Sequence, residues 1–442
     1  MLSPAFFMPW NQTFFLYKFE KSTIIIPVSG SSGVAQSASA KLSYYGGSTR
    51  MKKMVAVVLI MLLVIGSLAG CGSGETGGEE EPKVIKIGVF EPVTGENGGG
   101  GFQEVLGIRY ANVVYPTVDI DGETYTIELV EVDNKSDKTE AVTAAQRLIS
   151  EGVVAVIGSY GSGVSIAAGE IFAEANLAAV AASATNPQVT AGNDFYFRVC
   201  FLDPFQGTVM ANYAIQNGAK TAAVITQLGD DYSSGLGSYF VTAFNDLAGA
   251  GSVVSEQQFQ TNQTDFKAIL TNIKASNPDV IFAPSSITTA PLIIKQAREL
   301  GITVPIMGGD TWENATIIEN AGADAEGIVL STFFDEAEPA TDEAASFITG
   351  FKEYLVENNQ DEIIPAVSAL GYDAYLTVIA AIEAAGTTTD TVAIRDALKG
   401  VSVVGVTGAI SFNEVGDANK DMAFIKTVEN GQFKFLMTVS VE

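Results

Sequence analysis

The chain has 442 residues, 47% hydrophobic and 17% charged, with 24 Lys and Arg against 51 Asp and Glu, a formal charge of −27, two cysteines and no histidine. This length and apolar fraction predict two or three ordinary domains and exclude wholesale disorder, while the acidity repels phosphate backbones and excludes nucleic acid as a main partner. Without histidine there is no Ser-His-Asp or Cys-His catalysis and no His-ligated metal, and two cysteines alone make no zinc site, so no metal and no cofactor are expected.

Residues 1–50 carry mixed Ser, Gly and aromatic text without periodicity, upstream of a segment that belongs at an N-terminus. They are expected to be untranslated or a non-native extension, because Gly46-Gly47 can be encoded as a ribosome-binding consensus and Ser48-Thr49-Arg50 supply the spacer before a start at Met51. Residues 52–71, KKMVAVVLIMLLVIGSLAGC, give two lysines, an apolar run and a small-residue end. That run falls short of the roughly 18–20 residues of a spanning helix and has the flanks of an export signal, which places a signal peptide at 51–70. No other window is expected to cross a bilayer. Leu68-Ala69-Gly70-Cys71 resembles the bacterial lipobox, which implies lipidation of Cys71 and a membrane anchor made stable by several acyl chains. Residues 71–83, CGSGETGGEEEPK, then form a flexible, self-repelling tether. With Cys71 lipidated, Cys200 has no partner and is expected to be a buried, inert thiol.

From residue 84 strand-like and helical text alternate, the signature of parallel sheets covered by helices. Strands are expected at 84–90, 125–133, 153–159 and 177–183, with helices at 104–115, 136–151 and 163–176. After Asp203-Pro204 the alternation restarts, with strands at 221–228, 252–259, 279–285 and 304–309. Strand text at 326–334 leads to helices at 340–359, 366–385 and 390–399, a strand at 407–413, and a hairpin of 422–428 and 433–439 turning at Asn430-Gly431. The fold class is therefore α/β in two lobes, with crossings near 203, 333 and 423: residues 84–203 with 333–423 in the first lobe, 204–332 with 424–442 in the second.

Open parallel sheets bind ligands beyond the carboxyl ends of their strands. The loop Gly158-Ser159-Tyr160-Gly161-Ser162-Gly163 runs from a strand into a helix N-terminus, where amide groups, a hydroxyl and a dipole end welcome an anion. It lacks the lysine of a phosphate loop. The next strand ends in Ser183-Ala184-Thr185-Asn186-Pro187, aimed at the same point. Ser162 as a helix cap and Thr185 as a turn residue are the plainer alternatives. The Gly-rich segment 95–101 is poor evidence for a dinucleotide, since the fingerprint spacing is missing.

These loops, with the lipobox, the Gly-Asp-Asp-Tyr segment at 229–232 and IMGGD at 306–310, resemble the periplasmic binding proteins of branched-chain amino acid ABC transporters, a type I periplasmic-binding-protein-like fold, over residues 84–442. The resemblance implies that Ser162 and Thr185 give hydroxyls to an amino acid ligand, that Ser183 and Ala184 meet it beside them with Tyr160, and that Tyr232 covers it from the second lobe. Asp310 matches the family's acid for the ligand ammonium, and it also sits where a helix cap would. Trp312 and Phe102, read as loop residues, are candidates for the side-chain pocket. The polar run Pro284-Ser285-Ser286-Ile287-Thr288-Thr289 departs from the aromatics of close relatives and puts a strictly branched-chain ligand in question. The resemblance further implies a monomeric, lipid-anchored receptor on the outer face of the membrane, an ABC permease as partner and no enzymatic activity. A sensor of the same fold and a hydrolase using Ser162 or Ser183 are the rival readings, the hydrolase lacking a base.

Overall fold

The computed structural model describes residues 17–19, 22–24 and 83–440. The expectations for residues 51–70, for Cys71 and for most of the tether lie outside them. Strands β1 (Tyr17–Phe19) and β2 (Ser22–Ile24) pair antiparallel.

The first lobe is built on a six-stranded sheet of β3 (Val84–Glu91), β4 (Thr117–Ile120), β5 (Glu123–Asp133), β6 (Ala155–Ile157), β7 (Ala179–Ala181) and β8 (Tyr196–Arg198), in the order β4-β5-β3-β6-β7-β8. Only β4 runs antiparallel, on the edge. β6 and β7 are buried along their whole length, as strands covered on both faces must be, which is why they read as unbroken apolar runs. Helices α1 (Gly98–Val114), α2 (Lys138–Ser150) and α3 (Ser162–Glu174) follow β3, β5 and β6. The Asp137 side chain caps α2 by accepting from the Thr139 and Glu140 amides.

The second lobe begins with α4 (Asp203–Gln216) and carries a seven-stranded sheet. It contains β9 (Ala222–Gln227), β10 (Val253–Phe259), β11 (Val280–Phe282), β12 (Ile306–Gly308), β13 (Val329–Thr332), β16 (Met422–Glu429) and β17 (Gln432–Ser440), in the order β10-β9-β11-β12-β13-β16-β17. The last two strands are the antiparallel hairpin, with Asn430 and Gly431 both at positive φ. Helices α5 (Asp231–Ala248), α6 (Lys267–Ser276), α7 (Ala290–Glu299) and α8 (Ala315–Ala321) join the parallel strands. Between β13 and β16 the chain makes α9 (Asp342–Glu357), α10 (Ala366–Ala385), α11 (Thr391–Leu398) and the hairpin β14 (Ser402–Gly405) with β15 (Gly408–Ser411). α10 lies against α1, so this excursion belongs to the first lobe.

Three sequence expectations need correction. α10 is itself long and apolar enough to cross a membrane, with a mean hydropathy of 1.2 over its best window, but 78% of that window is buried and it is a core helix. Helix α1 starts at Gly98, six residues earlier than expected, so Phe102 stands on a helix and packs against the core instead of lying in a loop. The cause is close approach: a Cβ at Gly100 would lie 2.4 Å from the Tyr160 ring, and one at Gly101 2.1 Å from the Pro92 carbonyl oxygen. Residues 407–413 form only the second strand of a small hairpin.

The chain crosses between lobes after β8, after β13 and before β16. Phe201 and Phe333 from the first two crossings pack with ring centres 4.3 Å apart and planes tilted by 33°. Arg198 and Asp417 tie the first to the third by a buried ion pair of 2.6 Å. Cys200 is buried beside them, its thiol pushed up by burial, and it has no disulfide partner.

Candidate functional site

The carboxyl ends of β3, β6, β9 and β12 open onto a cleft lined by Asn97, Lys138, Tyr160 and Ser162 from the first lobe and Tyr232 and Asp310 from the second. Four of the expected residues, Tyr160, Ser162, Tyr232 and Asp310, therefore meet in one place. Contacts bridge the cleft on both sides: the Ile287 amide donates to Asn97 Oδ1 at 3.3 Å, Gln227 Nε2 to Glu96 Oε2 at 3.2 Å, and Lys138 pairs with Asp231 at 2.7 Å.

In the first lobe, Ser162 opens α3, with Gly161 in the cap position. Its hydroxyl accepts the Asn186 amide at 3.3 Å and so fastens the helix start to the loop after β7. The Arg198 guanidinium holds the same loop from below, donating to the Ala184 carbonyl at 2.8 Å and the Asn186 carbonyl at 2.7 Å. Ser183 and Thr185 are thereby fixed beside the helix N-terminus, whose first amide groups have no partner within the helix. Thr185 Oγ1 is buried without a hydrogen-bond partner. The Ser183 hydroxyl donates to Glu104 Oε1.

In the second lobe, Asp310 begins a short 3-10 turn and is 2% exposed. The cap of α8 is Asn314, not Asp310. Asp310 Oδ1 instead accepts from Gln206 Nε2 at 2.8 Å and from the Tyr232 hydroxyl at 2.9 Å. Burial raises its pKa to about 6, the two donors pulling the other way. Gly309 lets this happen, since a Cβ there would lie 2.3 Å from the Tyr232 oxygen. Trp312, one turn on, is fully buried, and its Nε1 donor is unused.

Two acids were not anticipated. Glu91 ends β3 and Glu104 lies on the inner face of α1; both are 0% exposed. Glu91 Oε2 accepts the Tyr160 amide at 2.7 Å. Burial pushes Glu104 up to about 8, and burial together with the Glu104 charge pushes Glu91 well above the usual carboxylate range. The two carboxyls lie within hydrogen-bonding reach of each other. The sequence did carry a signal for Glu91: a lone acid closing an apolar strand at the end where such folds bind ligands. Glu104 gave none, because its helix has apolar residues around most of its circumference.

Among the described residues, the buried side-chain polar atoms that lack a partner belong to Glu91, Glu104, Thr185, Asp203, Gln206, Ser285 and Trp312. Three of these residues, Glu91, Gln206 and Ser285, hydrogen-bond to residues that line the cleft, namely Tyr160, Asp310 and Thr311. No group of three or more Asp, Glu or Cys among the described residues is arranged to hold a metal ion.

Comparisons with known proteins agree with this geometry. The family described as "Periplasmic binding protein" matches residues 84–432. Leu/Ile/Val-binding protein homolog 3 of Brucella melitensis is 28% identical over 339 residues, covering 75% of this chain and 88% of that protein. Leu/Ile/Val-binding protein BraC3 of Rhizobium johnstonii is 30% identical over 340 residues, with the same coverages of 75% and 88%. Among solved structures, the leucine binding protein LivK of Thermotoga maritima superposes with a TM-score of 0.75 at 36% identity, covering 81% of this chain and 99% of that one. LivJ of Streptococcus pneumoniae, in complex with isoleucine, gives 0.72 at 30% identity, covering 81% and 99%. A solute binding protein of R. palustris in complex with benzoate gives 0.71 at 20% identity over 81% and 96%, which is a likeness of fold.

Proposed function

The chain belongs to the periplasmic binding protein family, and from that premise we propose that it captures an amino acid or a closely related small molecule by closing its lobes and delivers it to an ABC permease. The observation that carries this reading is the cleft itself, lined by Tyr160 and Ser162 from one lobe and by Tyr232 and Asp310 from the other. On the first wall Ser162, Thr185 and the amides opening α3 receive the ligand carboxylate, with Ser183, Ala184 and Tyr160 beside them. On the second wall Asp310 takes the ammonium while Tyr232, fixed by its bond to Asp310, covers it. Hydrogen bonds to charged groups contribute about 1.5–3 kcal/mol each, so such a clamp needs no arginine.

A ligand that touches both walls favours the closed form by its differential affinity, whereas one that touches a single wall binds without driving closure. The packed Phe201 and Phe333 rings and the Arg198–Asp417 pair keep the three crossings together while the lobes turn about them. Residues 71–83 tether the receptor through a lipid on Cys71 to the outer face of the membrane, and the receptor acts as a monomer. A carboxylate without an ammonium, such as benzoate, suits this cleft poorly, because the one basic residue lining it, Lys138, is already paired with Asp231.

A thermal-shift screen of amino acids, amides and aromatic acids tests the reading. An amino acid is expected to raise the melting temperature, because it binds the folded state alone. Small-angle scattering with the same ligand is expected to give a smaller radius of gyration. A screen in which only aromatic acids stabilise the protein refutes the proposal.

A further inference from the structure

Asn186 is bonded to both walls of the cleft at once. Its amide donates to the Ser162 hydroxyl at 3.3 Å, and its side-chain Nδ2 crosses to the second lobe and donates to the Asp231 carbonyl at 2.8 Å. Asp231 opens α5 and Tyr232 follows it, so two hydrogen bonds in series join the hydroxyl on one wall to the peptide that carries the tyrosine on the other. The rest of Asn186 is fixed: Oδ1 accepts the Gln188 amide at 2.9 Å, the carbonyl accepts from Arg198 Nη1 at 2.7 Å, and the residue is 6% exposed. A side chain held at this many points does not swing aside for an approaching helix, so the helix must make room. Gly235, at the start of the second turn of α5, does so: a Cβ there would lie 2.6 Å from Asn186 Nδ2. The position is helical, so the backbone does not call for glycine, and glycine weakens a helix relative to alanine. Gly163 makes the reciprocal fit, since a Cβ in that first turn of α3 would lie 2.9 Å from Asp231 Oδ2.

Resting on the lobe-closure reading above, we propose that Asn186 is a positioning residue that sets how far the lobes close, with Gly235 as the notch that receives it. The contact ends the rotation where Tyr232 and Asp310 stand opposite Ser162, and the notch lets the lobes reach that point. Asn186 acts through Ser162 and Tyr232 and not on the ligand itself. A methyl group at 235 stops the lobes early, because a close-packed contact has no space for one more carbon. The ligand then meets the first wall without being gripped by the second, and loses the share of its affinity that comes from touching both.

The test is isothermal titration calorimetry of the full chain, stripped of ligand by unfolding and refolding, with each of the common L-amino acids, on the wild type, Gly235→Ala, Asn186→Ala and the double variant. Gly235→Ala is expected to weaken binding about tenfold or more, the scale of one overpacked methyl group. The melting temperature of the unliganded variant is expected to hold or rise, because alanine is the better helix former. In the Asn186→Ala background the same substitution is expected to change affinity by no more than about twofold, since the overlap is gone. Small-angle scattering at saturating ligand is expected to show a smaller contraction for Gly235→Ala than for the wild type. Wild-type affinity in Gly235→Ala overturns the proposal and leaves the amino acid reading standing. An equal loss in both backgrounds also overturns it, since the effect then does not pass through Asn186. So does a fall in the melting temperature of unliganded Gly235→Ala, since the glycine then serves folding. No binding of any amino acid by the wild type overturns both.

Discussion

Arg198 at the hinge and Glu104 in the cleft are both 0% exposed, and the chain treats their charges in opposite ways. Arg198 is saturated: Nε meets Asp417 at 2.6 Å, Nη1 donates to two carbonyls, and Nη2 reaches Thr190 Oγ1 at 2.8 Å. Lys426 is balanced in the same manner by Glu313 and by Asp335, the latter at 2.8 Å. Glu104 has no cation beside it: its neighbours are the Ser183 hydroxyl and the Glu91 carboxyl, and burial raises its pKa to about 8, so it keeps its proton near neutral pH. A buried charge that serves structure is paired, because an unpaired one costs several kcal/mol. Glu104 avoids that cost by holding a proton instead of a partner, so the hinge buries a compensated charge and the first lobe beside the cleft buries a neutral acid.

The largest expected effect breaks the balanced side. Arg198→Ala leaves Asp417 and the loop carbonyls without a donor in the interior, and it is expected to cost about 3–5 kcal/mol in urea unfolding. A loss below about 1 kcal/mol would mean that the hinge pair is ornamental, and the contrast with the cleft would fail.

Asp310→Ala breaks the other side. It is expected to weaken binding of any α-amino ligand by about 10- to 100-fold in calorimetry, the loss of one hydrogen bond to a charged group. Stability of the unliganded protein is expected to change little, since removing the buried acid is offset by leaving the Gln206 and Tyr232 donors without their acceptor. Full retention of affinity takes Asp310 out of the site.

The dependence on pH sharpens the comparison. Glu104 and Asp203, raised to about 8, and Asp310, raised to about 6, keep protons in the folded chain that the unfolded chain releases near its ordinary carboxylate values of 4.5 and 3.8. Between those limits the folded state holds more protons, so stability falls as pH rises toward about 8. The exposed helix and loop acids Asp137 and Asp279 are shifted down, and their contribution is lost only at lower pH. The melting temperature of the ligand-free protein is thus expected to be higher at pH 6 than at pH 8.5, and Glu104→Gln is expected to flatten the slope. A melting temperature that rises with pH over this window would contradict the placement of these acids.

The smallest effect belongs to the rim. Lys138 spans the cleft to Asp231 but is half exposed, and such pairs contribute less than about 1 kcal/mol. Lys138→Ala is expected to change ligand affinity by less than about fivefold. A larger loss at low salt, read from the same titrations, would make the rim part of the closing device.

Much of the fold was legible because periodicity is local. The unbroken apolar runs of β6 and β7 announced strands covered on both faces, and Asn430-Gly431 announced the hairpin of β16 and β17. The start of α1 was not legible, since four glycines read as a loop until Tyr160 and Pro92 are seen to press against them. The same holds for the site. Ser162, Thr185 and Asp310 were reachable because they follow strands in loops whose text resembles a family, whereas Glu104 sits within a helix and Gln206 within another. Their meeting with Ser183 and Asp310 spans 79 and 104 residues of chain.

The amino acid sequence by itself determined the class of the protein: alternating strand and helix text in two sets, no imidazole chemistry, a strong negative charge and hydroxyl-bearing loops at strand ends. These follow from composition and from repeats a few residues long, which no distant contact alters. Which charges are paired and which acids keep a proton was decided only in three dimensions, because neutralisation in a low dielectric depends on atoms a few ångströms apart in space that the chain holds scores of residues apart.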